Sequence, residues 1–92
     1  QALMEKQKRF RQKQVEEEQK RRREEQEAER IRDQRNQIQN YINRQQAEIH
    51  RLEEQSQRAY RNNWPKRGDD LFGRARRLRG ELRQYMNEHG IR

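Results

Sequence analysis

Apolar residues are scarce in this chain and unevenly spread. From residue 1 to 30 nearly every position is Glu, Gln, Lys or Arg, and after Phe10 only Val15 and Ala28 are apolar. At residue 31 a stripe begins: Ile31, Ile38, Ile42, Ile49, Leu52 and Ala59, separated by 7, 4, 7, 3 and 7. Steps of three, four and seven place side chains on one face of a helix. Carried backwards by sevens from Ile31, the column reaches Glu24, Glu17, Phe10 and Leu3, so the repeat is heptad-like with polar gaps at Glu17, Glu24 and Gln45. Its second column is poorer: Arg35, Ile42, Ile49, Ser56. A coiled coil that is stable by itself keeps both columns apolar. The pattern predicts one narrow seam docked on a neighbouring protein, through Ile31, Ile38, Ile42, Ile49 and Leu52. Self-association of that seam is the alternative.

Neither Pro nor Gly occurs before Pro65, and Glu, Gln, Lys and Arg all favour helix. Residues 1–61 therefore read as one long charged helix, about 90 Å at 1.5 Å per residue, a span that bridges subunits rather than folding back. Glu5/Arg9, Glu16/Lys20, Glu17/Arg21 and Glu18/Arg22 set opposite charges one turn apart, in the order worth about 0.2–0.5 kcal/mol per pair. Residues 62–70 form the break. Trp64 precedes Pro65, which disfavours helical backbone at Trp64. Gly68 permits a turn, and Asp69 or Asp70 is placed to cap the next helix. Residues 71–92 hold a short amphipathic helix and a C-terminal tail. Leu71, Ala75, Leu78, Leu82, Tyr85 and Met86 make its apolar face, and Gly90 is its natural stop. Trp64 brings a large apolar surface and one donor; it is expected either to anchor a partner or to pack on Leu71 and Phe72.

Composition sharpens this picture. Of 92 residues 26% are hydrophobic and 43% charged, against about 45–50% and 25% in ordinary domains. Such a chain cannot enclose a sizeable interior. The expected fold class is all-α: one long extended charged helix, a Trp-Pro turn, and a short amphipathic Arg-rich helix, with no independent globular core. Stability is expected from local helix formation plus a partner. The chain has no Cys, hence neither disulfides nor thiolate metal sites, and no apolar run near the ~20 residues needed to span a membrane. It begins at Gln1 rather than Met, which leads us to expect a processed, cut or partial chain.

Charge points to the partner. The net charge is +8, and 19 of the 24 basic residues are Arg. Guanidinium presents a planar fork of donors that matches phosphate, whereas ammonium acts as a point charge. Residues 61–92 carry nine basic and four acidic side chains. Lys66 and Arg67 sit in the turn, and Arg74, Arg76, Arg77, Arg79 and Arg83 crowd the helix that follows. Phosphate contact with counterion release is the physical use of such a cluster, and Arg planes also stack on unpaired RNA bases. These seven residues are the expected RNA-binding set; pairing with an acidic protein neighbour is the competing use. Catalytic material is thin. Ser56 is the only serine, no threonine is present, and His50 and His89 lie far apart without ligand spacing. We expect no catalysis, no cofactor, no metal and no small-molecule substrate.

Gln39-Asn40-Tyr41-Ile42 and Asn62-Asn63-Trp64 carry a resemblance. A long Glu/Arg/Gln-rich helix, an aromatic-Ile step late in it and an Asn-rich aromatic turn about twenty residues on resemble the mitochondrion-specific small-subunit ribosomal proteins of the long-helix type. The resemblance covers residues 15–65. Past Trp64 the chain departs from it, with Pro65 and an Arg-rich helix in place of a mostly extended tail. The resemblance implies a structural, non-catalytic role on the organelle ribosome in the mitochondrial matrix, with rRNA and neighbouring proteins as partners. A coiled-coil structural protein of a filament, axoneme or virion, binding acidic protein, is the alternative.

Overall fold

The computed structural model describes residues 2–91; Gln1 and Arg92, the ends of the outer predicted segments, lie outside the described residues. Two helices account for nearly all of them: α1 over Ala2–Arg61 and α2 over Pro65–Glu88, with no strand among the described residues. The chain divides at Ile38 into two units.

In the first unit α1 stands entirely exposed. It is helical because its residues favour helix, and because its charges answer one another locally. Arg22 meets Glu18 at 3.0 Å and Arg30 meets Glu27 at 3.1 Å. Leu3, Met4, Phe10, Val15 and Ile31 all face solvent.

The second unit is a helical hairpin. On α1 the buried or half-buried positions Ile38, Ile42, Gln45, Ile49, Leu52, Ser56 and Ala59 alternate steps of four and three. On α2 the sequence Gly68, Leu71, Ala75, Leu78, Leu82, Tyr85 does the same with steps of three and four. Two such stripes bury each other where α1 and α2 pack side by side. Their relative direction follows from the contacts. Tyr41 lies against Tyr85 with ring centroids 4.3 Å apart, Glu53 pairs with Arg79, and Tyr60 pairs with Asp69. Partners descend on α1 as they ascend on α2, so the helices are antiparallel. Seven apolar residues are buried, in one row between two helices. An enclosed globular core is absent among the described residues, as the composition requires.

This hairpin corrects three sequence expectations. The stripe on α1 has a partner within the chain: Ile42, Ile49 and Leu52 are buried by α2, with Ile38 half-buried beside them. These four are therefore internal packing positions, not docking positions for another protein, and only Ile31 of that set remains exposed. Periodicity marks a face as apolar; it does not say what covers it. The turn, secondly, is shorter than 62–70. Helix α2 starts at Pro65, where a fixed φ suits the first helical position and the missing N–H costs nothing. Asp69 and Asp70 accordingly lie inside α2 rather than at its cap, which is Trp64 with no side-chain bond. Gly68, thirdly, is a buried helical residue and not a turn residue.

The turn itself has a definite mechanism. Asn63 adopts φ 61. Its N–H reaches the Tyr60 carbonyl at 3.1 Å, and the Trp64 N–H reaches the Ala59 carbonyl at 2.8 Å. That pair of bonds is a Schellman motif, with Asn in the left-handed position usually held by Gly. The motif recurs at the end of α2. Gly90 has φ 68, its N–H bonds to Asn87, and the Ile91 N–H bonds to Met86 at 2.8 Å. Ile91 thereby folds back onto the hairpin seam.

Candidate nucleic-acid interface

Where α1 meets the start of α2, two polar contacts lock the helices together. Ser56, the gap in the second column, is 1% exposed, and its hydroxyl donates to the Gly68 carbonyl at 2.7 Å. Absence of a side chain at Gly68 makes room for this approach, and the Tyr60 ring fills the space beside it: a Cβ on Gly68 would fall 2.7 Å from that ring. The Tyr60 hydroxyl donates to the Asp69 carboxylate. Acceptance by that carboxylate holds the phenol above its ordinary pKa, with partial desolvation and the neighbouring negative charge adding to the effect and Ser56 opposing it. Ser56, Tyr60, Gly68 and Asp69 were missed as a set by the sequence reading. The only signal available was the coincidence of a serine in one stripe with a glycine in the other.

With its apolar stripe turned inward, α2 presents its basic residues outward. Lys66, Arg67, Arg74, Arg76, Arg77, Arg79 and Arg83 are all exposed. They do not form one cluster. At 100° per residue, Arg67, Arg74 and Arg77 lie on one flank of the buried stripe, and Arg76, Arg79 and Arg83 on the other. A groove runs along each flank. The first, about 460 Å³, is lined by Arg67, Arg74 and Arg77 of α2, with Arg51 and Glu48 of α1 and Glu81. The second, about 590 Å³, has an apolar floor that includes Ile49, Leu82 and Met86, with His50, Arg79 and Arg83 at its rim.

Local pairing separates the arginines further. Arg79 reaches across to Glu53, its Nε donating at 2.9 Å. This one of the seven expected RNA contacts is thus engaged within the hairpin, although in an exposed pair worth at most about 1 kcal/mol. Arg51 donates to Glu48 from Nε at 2.9 Å. The bond holds the Glu48 carboxyl below the usual range and the Arg51 guanidinium above it. Lys66, Arg67, Arg74, Arg76, Arg77 and Arg83 form no ion pair among the described residues. Trp64 is 57% exposed. It lines a smaller groove of about 260 Å³ with Arg58, Ala59, Arg67 and Leu71, so it touches the setting of Leu71 while leaving much of its ring free. The histidines stay apart. His50 faces the second groove, and His89 lies against Tyr85 at 4.2 Å beyond the end of α2. Among the described residues no group of three His, Cys, Asp or Glu is gathered that could hold a metal ion, and no helix is long and apolar enough to cross a membrane.

Among the described residues fold and surface together define an all-helical protein: an antiparallel helical hairpin whose second helix carries arginine on both flanks, with a charged helical segment preceding it on α1. Comparison with protein families, with curated proteins and with solved structures returns no match.

Proposed function

We propose that this chain is a non-catalytic structural component of a ribonucleoprotein, contacting RNA through the outer flanks of α2. The observation that carries the reading is the state of those arginines. The hairpin covers its apolar stripes internally, and it leaves Arg67, Arg74, Arg76, Arg77 and Arg83 exposed and outside any ion pair among the described residues. Unpaired guanidinium in a basic chain is the electrostatic footprint of phosphate binding. The resemblance of residues 15–65 makes the small subunit of the mitochondrial ribosome the assembly we infer, with rRNA and neighbouring proteins as partners in the matrix.

A second reading rests on a different observation. In the first unit Leu3, Phe10 and Ile31 share one heptad column and are all exposed. That column fits a partner helix, as in a coiled-coil filament, axoneme or virion protein whose Arg flanks meet acidic protein. The two readings separate in one binding assay. Under the first, the full chain retains structured RNA at low ionic strength, and retention disappears when Arg74, Arg76, Arg77 and Arg83 are changed to Glu. Retention unaffected by those changes, together with a salt-insensitive homodimer, supports the second reading against the first.

A further inference from the structure

The two flanks of α2 differ in the residues that line them. The Arg67/Arg74/Arg77 groove and the small groove at Trp64 share three lining residues, Gln55, Arg67 and Leu71. They are therefore one continuous strip. It starts at an exposed indole, passes Arg58 and Arg67, and runs on to Arg74 and Arg77. From Trp64 to Arg77 is about 20 Å along the helix. Asp70 and Glu81 lie on the same side of α2, but neither forms an ion pair with these arginines. The opposite flank lacks this continuity. Arg79 is held by Glu53, and the exposed Phe72 lines neither of the two flank grooves.

Resting on the RNA reading above, we propose that the strip from Trp64 to Arg77 is a binding site for unpaired, single-stranded RNA. A base stacks on the Trp64 indole, and the phosphates that follow it lie against Arg67, Arg74 and Arg77. A basic track ending in an aromatic platform is how proteins hold single strands: stacking needs an unstacked base face, which a duplex does not offer. The row of guanidiniums supplies the salt-dependent, sequence-independent part of the affinity. Selectivity for unpaired over paired RNA follows from the indole alone.

Trp64 is the only tryptophan, so its fluorescence reports the site directly in the full chain. A decamer of uridine and a duplex RNA are the probes, with binding followed independently by anisotropy of the labelled RNA. The uridine decamer quenches Trp64 and the duplex does not. Trp64→Ala weakens decamer binding by about tenfold, the effect of one lost base stack, and Trp64→Phe restores most of it. R74E/R77E and R76E/R83E change the net charge equally, yet the first weakens binding by at least about ten times more than the second. Decamer binding with unchanged Trp64 fluorescence, equal quenching by the duplex, or equal loss in the two double variants overturns the site while leaving the RNA reading intact. No binding of either RNA at low salt overturns both.

Discussion

Tyr60 does two things at once: its ring covers the bare backbone of Gly68, and its hydroxyl donates to Asp69. The bond requires the neutral phenol, and the phenol's pKa is raised in the folded hairpin. A raised pKa favours the protonated form in the fold. The contribution is complete below the ordinary value of about 10 and is lost as pH climbs through the higher folded value. Ultraviolet titration of the folded chain against Tyr60→Phe should place the missing transition above pH 10; a transition at or below the ordinary value contradicts the bond. Gly68 and Gly80 make a second residue-scale contrast. Nothing lies within 4 Å of a Cβ built on Gly80, so Gly80→Ala should stabilise by about 1 kcal/mol through helix propensity alone. At Gly68 the same change drives a methyl into the Tyr60 ring and displaces it from Asp69. Thermal melts should show a rise for Gly80→Ala and none for Gly68→Ala.

Among the elements, the hairpin rests on two matched stripes, and their match sets the cost of each position. Ile49 is buried at the centre of the row, whereas Ile31 continues the column beyond it into solvent. Ile49→Ala should cost about 2–3 kcal/mol, a large share of what so small a unit has. Ile31→Ala should leave the melt within about 0.5 kcal/mol. Comparable destabilisation by both changes contradicts the placement of the seam. Both stripes and the break at Trp64-Pro65 were legible in the sequence, because period and proline chemistry are local properties. Their pairing was not, since nothing in a heptad column says whether its cover is another chain or the helix that follows. The start of α2 was misplaced for a similar reason. Asp69, Asp70 and Gly68 have the chemistry of a cap and a turn, yet Pro65 had already begun the helix, and the Schellman bonds at Asn63 and Trp64 had already reversed the chain. The arginine set was legible as residues but not as geometry. Its division onto two flanks follows from the 3.6-residue period once the buried face is known.

For the molecule as a whole, scarcity of apolar residues is met by concentrating them. Every buried apolar residue lies between Ile42 and Leu82, and each described residue from 2 to 37 is exposed. Charge is concentrated too: the segment from Arg61 onward carries a net +5 of the total +8, and seven of its basic side chains lie exposed on α2, whose apolar face is already occupied. We propose that a chain so arranged meets other macromolecules through guanidinium, and that the group it meets is RNA phosphate. The dependence of RNA affinity on salt tests this most directly. For a single strand the logarithmic slope is about −0.7 per phosphate contacted, so contact by Arg67, Arg74 and Arg77 predicts a slope near −2 for the full chain. Changing Arg74 and Arg77 to Glu should flatten that slope by about 1.4. A slope near zero, or one that the substitutions leave unchanged, contradicts the account.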